Sequence, residues 1–218
     1  MSKIWNIAGG VAAAAVVAVG LYLNFTGQDV ALQTAEAAGG QQVDVNVGDN
    51  EIVYGDPAAP VTIVEYASLT CPHCAAFHQE MLPELKAQLL DTGKAKLVYR
   101  DFPLDQLALR ASVMVRCGPA DKRTAMLDTL FSTQRSWSAA NDPVEALARI
   151  GRAVGMTDDD LNACYQNKEV VDAVLAERLE GEETYKVSST PSFVIDGKLY
   201  RGGMSVEDFT AVVESLTP

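Results

Sequence analysis

Two cysteines separated by two residues, Cys71-Pro72-His73-Cys74, stand where a β-branched run gives way to a helical pattern. Upstream, Val61-Thr-Ile-Val-Glu-Tyr-Ala67 has the length and composition of a strand. Downstream, Phe77, Met81, Leu85 and Leu89 recur every fourth residue, as on one face of a helix. Pro83 falls inside that pattern and is expected to kink it. This junction requires a sheet whose strand feeds a helix, with both cysteines at the turn.

The remaining signals extend the same architecture. Lys96-Leu-Val-Tyr-Arg100 reads as a second strand. From Asp105 to Val187 almost every signal is helical. Leu107 to Cys117 is one helix, ended by Gly118-Pro119, and Ala120 to Phe131 is another. Asp142 caps a third, with Pro143 in its first turn and Val144, Leu147, Ile150 and Val154 as its stripe. Thr157 caps a short helix holding Leu161 and Cys164. Val170 to about Tyr185 forms a longer one, with Val171, Leu175 and Leu179 as a seam. Strand chemistry resumes at Ser192-Phe-Val-Ile195; Asp196-Gly197 marks a two-residue turn, and Lys198-Leu-Tyr-Arg201 returns. Ser205 and Asp208 resemble a capping box for a last helix, with Val206, Phe209, Val213 and Leu216 as its stripe. The fold class is therefore α/β, a sheet interrupted by an all-helical insertion of roughly 80 residues.

The N-terminus adds a separate element. Ile4 to Phe25 carries no charge and, as a helix, is long enough to cross a bilayer of about 30 Å. Lys3 precedes it while Asp29 and Glu36 follow, which favours export of the rest. It is either a retained signal-anchor or a signal peptide cleaved at Ala35-Glu36-Ala37. The expected organisation begins with an apolar helix at 1–27 and a linker at 28–50. The sheet domain then opens at 51–104, is interrupted by the insertion at 105–187, and is completed by 188–218. Export fits a domain in which disulfides persist. The formal net charge of −12 excludes a nucleic-acid surface, which needs a basic patch.

The chemistry follows from the cysteine positions. Cys71 falls at a helix N-terminus, where unpaired N–H groups and the macrodipole favour a thiolate, the species that attacks disulfides. Cys71 is the expected nucleophile and Cys74, one turn inside, the resolving thiol. Pro72 suits the first turn, and His73 adds a donor or a positive charge near the sulfur. Stabilising the thiolate stabilises the reduced pair and makes the disulfide an oxidant. Glu65 shares a strand face with Val61 and Ile63, so its carboxylate is expected to be partly desolvated. It is either a proton relay to Cys74 or a strand residue with an ordinary hydrogen-bond partner. Pro191, after Thr190 at a strand start, is a candidate cis peptide that leaves backbone free for an extended substrate.

From about Glu51 to the C-terminus, these residues resemble thioredoxin-fold disulfide oxidoreductases of the DsbA type. The resemblance rests on Cys-Pro-His-Cys with the upstream Glu65, the helical insertion, and Thr190-Pro191 before a hairpin and helix. It implies a thioredoxin fold, a cis bond at Pro191, a nucleophilic Cys71 and a strongly oxidising disulfide. It also implies reduced or unfolded proteins as substrates and a quinone-linked membrane partner for reoxidation. A monomer on the periplasmic side of the inner membrane, needing no cofactor beyond its own disulfide, is the expectation.

Three features depart from the enteric pattern. Thr190 stands where enteric oxidases carry Val, which keeps an isomerase or reductase as the alternative. His78 replaces an acidic residue one turn after Cys74. Cys117 and Cys164 form an additional pair on two expected helices, read as a structural disulfide or as two buried free thiols. A zinc module built from Cys71, His73, Cys74 and His78 is disfavoured, because four residues so close along one helix converge poorly.

Overall fold

The computed structural model describes residues 51–217. The expected apolar segment, its cleavage site and the linker lie outside the described residues. Among those described, no helix is long and apolar enough to cross a membrane.

Five strands form one mixed sheet. They are β1 (Ile52–Tyr54), β2 (Val61–Ala67), β3 (Ala95–Asp101), β4 (Ser192–Ile195) and β5 (Lys198–Arg201), in the order β1-β3-β2-β4-β5. β2 runs parallel to β3, and β1–β3, β2–β4 and β4–β5 are antiparallel. The parallel pair requires a crossover, which a helix over residues 72–90, α1, supplies. β2 is central and covered on both faces, so it reads as a near-continuous apolar run. The Asp196-Gly197 turn has φ of 50° and 73°, the paired positive values of a type I′ hairpin, and joins β4 to β5. β1 escaped the sequence reading because three residues carry no periodicity.

Pro83 does not break α1. Residues Phe77–Met81 form a wide turn with i→i+5 hydrogen bonding immediately before the segment Leu82–Leu85. This turn accommodates a residue that lacks an N–H and whose ring would press on the carbonyl four positions back. Phe77, Leu85 and Leu89 are buried, as their spacing predicts.

Seven α-helices follow among the described residues. Six lie between β3 and β4: α2 (Gln106–Cys117), α3 (Arg123–Ser132), α4 (Gln134–Ser138), α5 (Pro143–Ala153), α6 (Asp158–Gln166) and α7 (Lys168–Glu183). The last, α8 (Val206–Leu216), closes the chain behind the Ser205–Asp208 capping box. α4, five residues long, was not legible from sequence. The main core joins sheet and insertion through Ile63, Leu97, Leu127, Phe131, Phe193 and Phe209. Each such side chain contributes about 1.5–3 kcal/mol on burial.

Three apolar stripes are corrected by the structure. Val144 on α5 and Leu216 on α8 are substantially exposed. On α7 the expected seam holds at Val171, which packs against the buried cluster of Val113, Cys164 and Val174, and fails at its leucines: Leu175 is 42% and Leu179 51% exposed, whereas Val174 and Gly181 are buried. Past Val174 the inward face of α7 turns polar. Glu180 pairs with Arg100 of β3 at 2.8 Å, and Glu177 pairs with Arg116 of α2 at 2.7 Å while accepting from the Asp101 backbone N–H. Arg116 also holds Asp101 at 2.8 Å. Gly181 lies against the Tyr66 ring of β2, where any Cβ would sit 2.8 Å from a ring carbon. A hydrophobic pattern cannot find a face built from paired charges and a glycine.

Candidate active site

The strand-to-helix junction forms as the sequence requires. β2 ends at Ala67, and the Cys71 N–H donates to the Ser68 carbonyl at 3.1 Å, turning the chain into α1. Thr70 Oγ1 donates to Asp105 at 2.6 Å, and the same Asp105 side chain caps α2. Cys71 is the N-cap of α1 and Pro72 occupies the first turn. Both cysteines are free thiols here, Cys71 almost covered and Cys74 fully buried.

Their acidities separate strongly. The Cys74 thiol donates to the Cys71 sulfur; with help from Thr190 and the backbone N–H groups of Cys74 and His73, this pulls Cys71 down from 9.0 to about 5. Cys74 moves the other way: burial comes first, then the same hydrogen bond, then the nearby Glu65 charge. His73 acts on the sulfur through its backbone; its side chain is exposed at the groove.

Thr190-Pro191 is a cis peptide, and the Cys71 sulfur lies 3.4 Å from the Thr190 carbonyl oxygen. A groove of about 450 Å³ opens beside the thiol, walled by His73, Phe77, Met81, Thr190, Pro191 and Met204. It offers apolar walls beside the backbone of Thr190, the features an extended chain needs for docking.

Glu65 lies beneath the pair on β2, completely buried. Its Oε2 is bonded to His78 Nε2 at 3.0 Å, and the His78 ring stacks on Phe131 with centroids 3.9 Å apart. His78 therefore faces the interior while His73 faces the groove. Among the described residues, no group of three or more His, Cys, Asp or Glu side chains is arranged to hold a metal.

Cys117 of α2 and Cys164 of α6 are joined in a disulfide, remote from the thiol pair in the chain and confined to the insertion. Gln134 of α4, buried, donates to the carbonyls of Leu69 and Cys71. Sequence reasoning missed this residue, since a lone Gln in an unrecognised helix carries no signal.

Comparison with known proteins decides the family. A family model described as Thioredoxin matches residues 48–215. The chain belongs to the thioredoxin family. Within that family it is DsbA-like. The crystal structure of alpha-DsbA1 from Wolbachia pipientis aligns with a TM-score of 0.69 and 29% identity, covering 78% of this chain and 92% of that one. A protein-disulfide isomerase from Novosphingobium aromaticivorans gives 0.66 and 26%, covering 79% and 100%. A protein of Rickettsia conorii, assigned by name as a protein-disulfide oxidoreductase, is 31% identical over 174 residues, 79% of this chain and 62% of that protein. The thioredoxin-family region here thus spans about three fifths of that curated relative's length.

Proposed function

We propose that the chain is an exported thiol:disulfide oxidase that transfers the Cys71–Cys74 disulfide to reduced or unfolded proteins. The observation that carries this reading is the opposed pair of acidities at one helix N-terminus. Cys71 holds a negative charge at neutral pH, whereas Cys74 is kept as a thiol. The dithiol state is thereby favoured, and the disulfide gains its tendency to take electrons.

The steps balance without a cofactor. A substrate thiolate docked along Thr190-Pro191 attacks the Cys71 sulfur of the disulfide, and Cys74 leaves with the electron pair and takes a proton. A second substrate thiolate attacks the substrate sulfur of the mixed disulfide. Cys71 then leaves as its stabilised thiolate, and the substrate carries the new disulfide. Glu65, buried under the pair, is the group in this reading that exchanges a proton with Cys74. The dithiol left behind requires reoxidation, for which a quinone-linked membrane protein is the proposed partner. We further propose that a monomer works on the periplasmic side of the inner membrane, anchored by residues 1–27 or released by cleavage.

Thr190 before Pro191 supports a second reading, a disulfide isomerase or reductase, as does the likeness to the Novosphingobium protein. Equilibration of the full chain with glutathione, alongside stoichiometric reaction with a reduced unfolded protein, separates the two. An oxidase shows a potential at the oxidising end of the thioredoxin superfamily and passes one disulfide per molecule to substrate. A potential as low as a cytosolic reductase, or efficient unscrambling of mispaired ribonuclease with little net oxidation, rejects the oxidase.

A further inference from the structure

Glu65 and His78 are joined at 3.0 Å through Oε2 and Nε2, with the Glu65 side chain fully buried and the His78 side chain 1% exposed. The outer atoms of the pair, Glu65 Oε1 and His78 Nδ1, are buried with no hydrogen-bond partner among the described residues. A carboxylate and an imidazole bonded in this way form a two-link wire. A proton accepted at one outer atom releases another from the far one.

The ends serve different places. At one end Glu65 is close enough to Cys74 for its charge to act on that thiol. At the other, His78 lines a surface cavity of about 480 Å³ walled by Pro83, Lys86, Asp91 and Asp128. This cavity shares no residue with the groove beside Cys71. Neighbouring groups leave the wire intact. Tyr54 of β1 and Tyr99 of β3 flank the imidazole, ring centroids 6.1 and 6.4 Å away, and burial holds both phenols neutral. Asp128 of α3 accepts from the Tyr54 hydroxyl at 3.0 Å, and Lys86 and Asp91 pair with each other at 3.3 Å. Stacking on Phe131 fixes the ring plane.

We propose that Glu65 and His78 form a proton relay that supplies Cys74 from the cavity at Asp128 rather than from the substrate groove. The inference rests on the disulfide-exchange reading above and deepens it. Cys74 is fully buried, and a substrate in the groove covers the face that Cys71 presents. When the Cys71–Cys74 bond breaks, Cys74 departs as a thiolate. Oε1–H of Glu65 protonates that sulfur, Nε2–H of His78 passes to Oε2, and Nδ1 takes up a proton from solvent in the cavity. The pair ends with as many protons as it held, and the reverse sequence serves reoxidation. His78 acts on Cys74 through Glu65 and is a positioning and relay residue.

The test is single-turnover reduction of the oxidised full-length protein by dithiothreitol and by a reduced peptide, from pH 5 to 9. Wild type is compared with His78→Gln, Glu65→Gln and the double variant. His78→Gln keeps a donor for Glu65 but cannot pass a proton through its side chain. Dividing each rate by the wild-type rate cancels the ionisation of the attacking thiol. The relay predicts a loss of about tenfold in His78→Gln with a changed pH profile, and a double variant no slower than Glu65→Gln alone. A wild-type rate and profile in His78→Gln, or losses that multiply, overturns it. The unmodified protein gives an independent arm should the variant fail to fold. Three protons in flight bow the plot of rate against deuterium fraction, and a straight line overturns the relay. A wild-type protein that exchanges thiols while His78 has no effect refutes the relay alone; one that exchanges none refutes the function beneath it.

Discussion

Gln134 donates from Nε2 to the carbonyl of Leu69 at 2.8 Å and to that of Cys71 at 2.9 Å, so a side chain of the insertion holds the loop bearing the nucleophile. Cys71 O keeps a second donor, the Ala75 N–H at 3.1 Å. Leu69 O depends more heavily on the glutamine. Replacing Gln134 by Leu leaves a buried carbonyl short of a partner and is expected to cost about 1–3 kcal/mol. Urea denaturation of the oxidised protein measures this; a midpoint equal to wild type would show that the loop holds itself.

Gly181 makes the contact that seats α7 on the sheet. Alanine favours a helix by about 1 kcal/mol over glycine, which taken alone predicts that Gly181→Ala stabilises. The Tyr66 ring 2.8 Å from the added Cβ reverses the sign, because a buried ring has little room to retreat. A net loss of about 1–3 kcal/mol is expected. Leu175→Ala, on the exposed face of the same helix, should stay within about 0.5 kcal/mol. Thermal melts of the two variants in parallel decide whether the glycine or the leucine faces inward.

The depressed Cys71 thiol links stability to pH in the reduced protein. Folded Cys71 loses its proton near pH 5, whereas an unfolded thiol keeps it to about 9.0. Between those values the unfolded chain binds the extra proton, so the reduced protein gains stability as pH rises and loses it as pH falls through 5. Cys74 is protonated in both states over most of this window and opposes the gain only as the unfolded thiol titrates towards 9.0. Burial raises Glu177, which works in the opposite direction but equally in both redox forms. The difference in unfolding free energy, reduced minus oxidised, should therefore climb from pH 5 to 9. A flat difference contradicts the assignment of the charge to Cys71.

The Cys117–Cys164 disulfide spans a sequence separation of 47 and ties α2 to α6 inside the insertion. Loop entropy sets its value at about 4 kcal/mol at most. Replacing both cysteines by Ala should lower the denaturation midpoint accordingly while leaving thiol exchange at Cys71 intact. Loss of exchange with unchanged stability would mark this pair as a second redox centre.

Much of this arrangement was legible in the sequence. Val61–Ala67 followed by Cys71 and Cys74 fixed the strand, the turn and the helix start, because β-branching, Pro72 in the first turn and the fourfold apolar spacing agree. Asp142, Thr157 and Ser205 each announced a helix start, and each cap is present. The misses share a physical origin. Leu175 and Leu179 were expected inside because an apolar stripe is the usual buried face, yet α7 buries Glu177 and Gly181 against partners distant in sequence. Gln134 and the Glu65–His78 bond are pairings across the fold, which spacing along the chain cannot reveal. Pro83 marked an irregularity in α1, and the wide turn immediately before it is where the helix departs from regular geometry.

The most direct test of the account is titration of Cys71 in the reduced protein, followed by the ultraviolet absorbance of its thiolate and by alkylation rate against pH. The account predicts a half-point near pH 5, rising when Cys74→Ala removes the strongest hydrogen bond to that sulfur. A half-point near 9.0, unaffected by the loss of Cys74, contradicts it.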